Sequence, residues 1–375
     1  MVHSPPYEDW DVTLTIGNTL AFEACIRSFL ARGDSIIMEE YAYTSGVYAC
    51  RPQGLNIVGI GMDSEGMRAD LLDERLSNWS KTEGPKPRVA YIVPYVQRKH
   101  EANVRTGQNP TGSSMFAQRR KDLYAVCQKH DLLIIEDDPY CTILSEMISP
   151  LDFLQMEPYT GEENPKYTTP KGSKQLISSL IPSFLSLDVD GRVVRLDSLS
   201  KVLAPGIRLG FVTASAQLIE RLVRFVEITS QAPSGFSQSI AYQLLAQHWG
   251  HEGFFQWLMY MRSEYTKRRD VCCRAIDKYL PKEVMEYTVP IAGMFFWVHI
   301  TGSINGVSSK ELGDKFFKRC LEEKVLVVPG HVFKAEKTGG KDELYFRGTF
   351  AAVPLDKLEI GIQRLGKALR AVFNL

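Results

Sequence analysis

Short apolar runs alternate with helical patterns over the first two thirds of the chain. Each run is only a few residues long, which is typical of strands buried on both faces of a sheet. The predicted strands lie at residues 12–15, 36–38, 55–60, 89–93, 132–135 and 192–196. The predicted helices lie at residues 17–33, 114–130, 216–227, 236–249 and 252–279. This alternation predicts an α/β fold with a mostly parallel sheet between two layers of helices.

The last third of the chain has a different pattern of predicted strands and helices. Its predicted strands lie at residues 294–300, 325–328 and 344–350, and its predicted helices at 308–322 and 355–373. Strands and helices mixed in this way indicate a smaller α+β domain. We therefore predict a large domain over residues 1–250 and a small C-terminal domain over 251–375, with residues 141–190 forming a long irregular excursion from the first.

Composition narrows the class of protein. With 375 residues and 44% hydrophobic content, the chain can bury a large core. Its 44 basic residues balance its 44 acidic ones, so neither nucleic acid nor an anionic membrane surface is an expected partner. No apolar run has the length of a membrane span, and the seven cysteines show no C-x-x-C spacing. These features together predict a cytoplasmic protein. We expect no metal site, because His248 and His251 lack a third ligand nearby.

One stretch, residues 197–211, carries candidate chemistry. It sets Lys201 next to the hydroxyl residues Ser198 and Ser200 and places Arg208 seven positions later. A partly desolvated lysine has a lowered pKa and can form a Schiff base, and an arginine can hold a phosphate. The alternative is a surface loop with two unrelated cations.

Other polar residues follow the predicted strands. The turn at 17–19 opens a helix and could bind an anion, although such turns often only cap helices. Asn109 lies in an Asn-Pro-Thr-Gly turn, and Asp137 with Tyr140 follows a buried strand, where solvated acids are the plainer interpretation. Arg347 interrupts an apolar strand, so it meets either an anionic ligand or a structural carboxylate.

Pyridoxal phosphate requires this combination of side chains. Its aldehyde needs a lysine, its ring nitrogen a carboxylate, its ring hydroxyl hydrogen-bond donors, and its phosphate an arginine with helix-terminal N–H groups. An amino-acid substrate adds an arginine for the α-carboxylate.

With these motifs the chain resembles the class I aminotransferases of pyridoxal-phosphate fold type I. It is most similar to the branch of aromatic amino acid, 2-aminoadipate and kynurenine aminotransferases, from residue 11 to the C-terminus. The resemblance is carried by Asn109-Pro110-Thr111-Gly112, Asp137-x-x-Tyr140, Ser198-x-Ser200-Lys201 with Arg208, Gly293-Met294-Phe295-Phe296-Trp297, and Tyr345-Phe346-Arg347.

The resemblance implies a role for each site residue. Lys201 would form the Schiff base with pyridoxal 5′-phosphate and move the substrate's proton. The other cofactor-binding residues would be Asp137 at the ring nitrogen, Asn109 and Tyr140 at the ring hydroxyl, Tyr43 against the ring face, and Arg208, Ser198, Ser200, Asn18 and Thr19 around the phosphate. Arg347, with Asn109, would bind the substrate. The implied partners are a small amino acid and a 2-oxo acid such as 2-oxoglutarate, and the implied assembly is a homodimer.

Three departures from the family pattern remain. The family carries a region before the 17–19 turn that this chain lacks, and the stretches at 95–105 and 141–152 look inserted. We therefore interpret the chain as an N-terminally truncated family member. Two alternatives to an aminotransferase stay open: a lyase or decarboxylase on the same scaffold, and a protein that binds the cofactor but is catalytically impaired.

Overall fold

The computed structural model describes residues 5–63, 65–94, 108–111, 115–138, 159–161, 182–290, 292–336 and 343–375. Two principal sheets organise this part of the chain, one formed by its first 215 residues and one by residues 285–349.

The larger sheet has seven strands. They are β1 (Trp10–Thr15), β2 (Ser35–Glu39), β3 (Asn56–Ile60), β6 (Val89–Ile92), β7 (Leu133–Asp138), β8 (Val193–Ser198) and β9 (Gly210–Ser215), and a small hairpin of β4 (Met62–Asp63) and β5 (Gly66–Met67) follows β3. The spatial order is β1-β9-β8-β7-β6-β2-β3. Neighbours from β8 to β3 run parallel, whereas β9 is antiparallel to β8 and β1. The predicted mostly parallel sheet is confirmed, and the carboxyl ends of its parallel strands meet at one edge, where open α/β sheets bind ligands.

Helices cover both faces of this sheet. They are α1 (Asn18–Phe29), α2 (Thr44–Cys50), α3 (Ala69–Ser77), α4 (Ala117–Lys129), α5 (Phe184–Leu187) and α6 (Ala216–Ile228). Because side chains alternate along a strand, Ile36 packs into one buried apolar layer and Ile37 into the other. This explains why the strands read as continuous apolar runs.

The smaller sheet is antiparallel. It contains β10 (Met285–Tyr287), β11 (Phe295–Ile300), β12 (Val328–Pro329) and β13 (Leu344–Thr349) in the order β10-β11-β13-β12. The flanking helices are α9 (Ser309–Glu322) and α10 (Leu355–Phe373). The two sheets are connected by α7 (Gly235–Tyr242), a π-helix (Gln243–Trp249) and the 30-residue helix α8 (Gly250–Tyr279). The domain boundary at residue 250 stays a prediction.

Several elements differ from the predicted ones. Helices α2 and α3 were not predicted, and the helix predicted at 236–249 is divided into an α-helix and a π-helix. The strand predicted at 325–328 is wrong apart from its last residue. Lys324 turns the chain with a left-handed backbone (φ 58°), and Leu326 is 73% exposed, so the apolar run there is not a buried strand. Among the described helices, none is long and apolar enough to cross a membrane.

Candidate active site

Asp137 lies at the carboxyl edge of the large sheet and is almost fully buried, at 5% exposure. One carboxylate oxygen accepts a hydrogen bond from Asn18 Nδ2 at 2.6 Å, and the other accepts one from the Tyr91 hydroxyl at 2.5 Å. Burial raises the pKa of Asp137, while the bonds from Tyr91 and Asn18 and the charge of Arg195 oppose the rise. The carboxyl group is therefore fixed in position and retains lone pairs for a further partner.

The Lys201 loop follows β8 directly. Ser198 Oγ accepts a hydrogen bond from the backbone N–H of Ser200 at 3.1 Å, which tightens the turn before the lysine. Lys201 is exposed as a residue, yet burial of its amine lowers its pKa, and the charges of Arg208 and Arg347 lower it further. A lowered lysine pKa increases the fraction of free, nucleophilic amine.

Arg208 is held by three acceptors. Its guanidinium donates to Ser200 Oγ at 2.9 Å, to the Pro205 carbonyl at 2.7 Å and to the Ile16 carbonyl at 3.1 Å. Its backbone is left-handed (φ 46°), a conformation that a non-glycine residue keeps only where the surroundings enforce it.

The start of α1 faces the same arginine. Gly17 takes a φ of 114°, and a Cβ there would lie 2.7 Å from Arg208 Nη2. No side chain caps the helix, so its first backbone N–H groups are available to a ligand. Thr19 is exposed at this end, whereas the side chain of Asn18 turns inward to Asp137. Exposed N–H groups beside a guanidinium fit a phosphate.

Asn109 and Arg347 join the two sheets. Arg347 Nη1 donates to Asn109 Oδ1 at 2.6 Å, and its guanidinium carbon lies 4.1 Å from the Phe295 ring centre and 4.7 Å from that of Phe333. The aromatic faces stabilise the cation without neutralising it. An arginine guanidinium can bind a carboxylate through two parallel hydrogen bonds.

A buried pair below Asn109 fixes its turn. Gln108 Nε2 donates to Glu39 Oε2 at 2.6 Å and to the Tyr41 carbonyl at 2.9 Å, and its Oε1 accepts from the Thr111 backbone at 3.1 Å. Burial raises the pKa of Glu39 to about 8, despite the opposing bond from Gln108. This pair ties the turn to the end of β2.

Two further predicted residues differ in what the structure describes. Tyr43 is half-buried directly before α2, close enough to Tyr91 for its charge to contribute to the raised Tyr91 pKa. Tyr140 lies outside the described residues, as do both stretches predicted to be inserted and Gly112.

The acids beside Asp137 are structural. The strand predicted at 132–135 continues through Asp138, so Glu136 and Asp138 are buried on the opposite face rather than solvated. Both contact Arg195, which also contacts Asp197. Burial raises the pKa of Asp138 to about 6 and of Asp197 to about 8.

Sequence reasoning missed Tyr91, Gln108 and Glu39. The available signal was a polar residue inside or directly after an apolar strand: Tyr91 within β6, and Glu39 at the end of β2. Gln108 directly precedes the Asn-Pro-Thr-Gly turn but carries no distinguishing pattern of its own.

Comparison with known proteins identifies the family of this chain. The family model "Aminotransferase class I and II" matches residues 8–365. An aromatic amino acid aminotransferase of Schizosaccharomyces pombe is 40% identical over all of this chain and 75% of its own length. The mitochondrial kynurenine/alpha-aminoadipate aminotransferase of Bos taurus is 33% identical over 98% of this chain and 76% of its own length. The crystal structure of aminotransferase Aro8 from Candida albicans superposes with a TM-score of 0.86 at 42% identity, covering all of this chain and 75% of that one.

The fold and these similarities define a transferase that acts on amino groups. This chain belongs to the class I and II aminotransferase family and is an enzyme of that family. The resemblance drawn from the sequence motifs is confirmed.

Proposed function

We propose that this aminotransferase moves the amino group of an aromatic amino acid or 2-aminoadipate to a 2-oxo acid such as 2-oxoglutarate, using pyridoxal 5′-phosphate linked to Lys201. The observation that carries the proposal is the position of the Lys201 amine in the field of two arginines. Burial lowers the pKa of this amine, and the charges of Arg208, in the loop before β9, and Arg347, on β13, lower it further. An amine between two cations suits a cofactor with a phosphate at one end and a substrate carboxylate at the other.

The residues present fit pyridoxal phosphate. Arg208, Ser200 and the uncapped start of α1 would hold its phosphate, and Gly17 leaves the space that a Cβ would fill. Asp137 would hold the ring nitrogen, and Asn109 with Tyr140 the ring hydroxyl. Thr19, Ser198 and Tyr43 keep their proposed places around the phosphate and the ring face. When bound, the cofactor supplies an aldehyde for an amine and a ring that accepts electrons.

Three side chains of the protein have separate roles in the proposed reaction. Arg347 binds the α-carboxylate of the substrate, which fixes the Cα–H bond relative to Lys201. Lys201 Nζ takes the proton from Cα once its amine is free, and the lowered pKa keeps that amine unprotonated in a larger share of molecules. Asp137 keeps the ring nitrogen protonated, because a buried carboxylate pairs with a cation.

The proposed substrate class is inferred from the names of similar enzymes. Their names cite aromatic amino acids, kynurenine and alpha-aminoadipate. A lyase or decarboxylase on the same scaffold is the second candidate, since Lys201 and Asp137 would serve it equally well. Arg347 favours transamination, because a decarboxylase loses the carboxylate that this arginine would bind.

A coupled assay tests the proposal. Purified protein is incubated with pyridoxal phosphate, 2-oxoglutarate and either phenylalanine or 2-aminoadipate, and glutamate is measured. We expect glutamate with wild-type protein and none with Lys201→Ala. Release of carbon dioxide without glutamate would favour the decarboxylase. Cofactor absorbance without any product would identify an impaired enzyme, and cofactor absorbance unaltered by Lys201→Ala would refute the assignment of the lysine.

Two further proposals follow from the family. The first is a homodimer, which is supported by exposed apolar side chains on α7, where Phe236 is 86% and Ile240 59% exposed. Size-exclusion chromatography with light scattering measures the mass, and a monomer at micromolar concentration would contradict the homodimer.

The second is a cytoplasmic location, supported by the six cysteines among the described residues, all of which are buried and free of disulfides, as in a reducing compartment. Microscopy of a fluorescent fusion tests it, and signal confined to mitochondria would contradict it.

A further inference from the structure

Asp137 sits between two donors that come from different elements. Asn18 at the start of α1 and Tyr91 on β6 each bond one oxygen of the carboxylate, at 2.6 and 2.5 Å. The Tyr91 side chain is 1% exposed, and Asn18 is 9% exposed. We name Asn18 and Tyr91 the donor pair.

We propose that the donor pair are positioning residues, which keep the Asp137 carboxylate ionised and aimed at the ring nitrogen of the cofactor. This inference rests on the proposed function, because it assumes that Asp137 is the partner of that nitrogen. It assigns the side chain of Asn18 to Asp137 rather than to the phosphate, for which the backbone N–H groups of α1 remain.

The geometry leaves Asn18 one orientation. Its Nδ2 donates to Asp137 and also, at 3.0 Å, to the carbonyl of Leu196. Both partners are acceptors, so the amide must present its NH₂ group to them. The carbonyl of Leu196 belongs to β8, the strand that leads to Lys201, and the amide therefore ties α1 to the two strands that carry the reactive groups.

Tyr91 is fixed equally well. Its ring packs against Phe22 with centroids 4.4 Å apart, and a Cβ at Gly46 would come within 3.3 Å of the ring. Burial and the charge of Asp137 raise the pKa of the Tyr91 hydroxyl well above its usual value. The hydroxyl therefore keeps its proton and acts as a donor to Asp137.

A buried carboxylate needs such donors. Burial alone would favour the protonated acid, which could not hold a protonated ring nitrogen. Among the described residues, the other titratable or charged groups that act on the donor pair or Asp137 are Arg195, Cys25, Tyr43 and Glu39. Of these, Arg195 is the cation, and it is committed to the three acids on the opposite face.

The first test uses the protein without cofactor. The side-chain carboxyl carbon of aspartate is labelled with ¹³C, the signal of Asp137 is assigned with Asp137→Asn, and its titration is followed in Tyr91→Phe and Asn18→Ala. We expect the proton affinity of the carboxyl group to rise roughly tenfold or more in each variant, the usual size for a lost hydrogen bond to a charge. Asn18→Ser serves if Asn18→Ala does not fold.

Tyr124→Phe is the matched control. Tyr124 is also a buried tyrosine whose hydroxyl lies within donating distance of carboxylates, 2.6 Å from Asp190 Oδ1 and 3.0 Å from Asp188 Oδ1, but it lies on α4 away from the site. Its loss should leave the Asp137 titration unchanged. A titration of Asp137 that is identical in wild type, Tyr91→Phe and the Asn18 variant would overturn the proposal.

The second test adds pyridoxal phosphate labelled with ¹⁵N in the ring. We expect a protonated ring nitrogen in wild type and in Tyr124→Phe, and a smaller protonated fraction at the same pH in the variants of the donor pair. If the wild-type nitrogen is unprotonated and equals that in Asp137→Asn, the role proposed for Asp137 is wrong. The cofactor-free titration separates that failure from a failure of the donor pair itself.

Discussion

Replacing Arg195 by methionine should destabilise the protein in a pH-dependent way. The guanidinium contacts Glu136 at 2.9 Å, Asp138 at 2.8 Å and Asp197 at 3.1 Å, and every member of this group is at most 2% exposed. Arg195→Met keeps most of the side-chain volume but removes the charge. Within the part of the chain that the structure describes, Arg120 would remain as a cation in contact with one of the three carboxyl groups, Glu136 at 3.5 Å.

The magnitude follows from burial. Breaking a buried ion pair by removing one partner costs about 3–5 kcal/mol of the free energy of unfolding, because the other charge stays desolvated. Asp138 and Asp197 already have raised pKa values, about 6 and about 8, against about 3.9 in the unfolded chain. Between these values the folded state holds protons that the unfolded state has released, so stability falls as pH rises. Loss of Arg195 raises the folded pKa values further, and we therefore expect a larger penalty at pH 8 than at pH 5.

Urea unfolding followed by circular dichroism at both pH values measures this penalty. Arg224→Met is the control, since Arg224 forms exposed ion pairs with Glu220 and Glu227 and its loss should cost less than about 1 kcal/mol at either pH. Equal destabilisation by the Arg195 and Arg224 variants would refute the reasoning, as would an Arg195 penalty that is the same at pH 5 and pH 8.

Three other substitutions test the site. Arg347→Met should raise the KM for the amino acid about ten- to a hundredfold, with a smaller change in cofactor affinity, because a charge-assisted hydrogen bond to the substrate is lost. Steady-state kinetics measure the KM, and an unchanged KM would contradict the prediction. Glu39→Gln should flatten the decline of stability with pH. The Glu39 pKa is about 8 in the folded protein against 4.5 ordinarily, so the wild type loses at most ~1.4 kcal/mol of unfolding free energy per pH unit between these values. Urea unfolding at pH 6 and 8 tests this, and a pH dependence equal to that of the wild type would contradict it. Gly17→Ala should cost ~1–3 kcal/mol of stability, because residue 17 has a left-handed backbone. It should also weaken binding of pyridoxal phosphate more than binding of pyridoxal, because the new Cβ would meet Arg208. Equal weakening of both ligands would place the phosphate elsewhere.

The strands were predictable because their signal is local. A run such as residues 132–135 is apolar at every position, which identifies a strand buried on both faces without knowledge of its neighbours. Lys201, Asp137 and Arg347 were also accessible, because each stands out against its immediate surroundings: a lysine between hydroxyls, an acid after an apolar run, and an arginine within one.

The donor pair was not accessible in the same way. Tyr91 and Asn18 lie 46 and 119 positions from Asp137, so their hydrogen bonds depend on strand order and helix placement that no local pattern encodes. The turn at 17–19 indicated an anion site, and its backbone retains that capacity, but the direction of the Asn18 side chain is set by the packing of α1 against β7 and β8. Helix α3 was missed for a related reason: only Leu72 and Leu76 of its nine residues are fully buried, so its apolar stripe is narrow.

The alternation of β7 explains how three consecutive acids can serve two purposes. Asp137 points to one face, where two neutral donors leave its charge available, whereas Glu136 and Asp138 point to the other, where Arg195 and Arg120 offset their charges. Arg195 also holds Asp197, four residues before Lys201, so one guanidinium fixes the strand register from which both Asp137 and the lysine loop project. If that is its role, Arg195→Met should impair the positioning of Asp137 even at pH 5, where the folding penalty is smaller. A normal Asp137 titration in that variant would show that the two faces of the strand act independently.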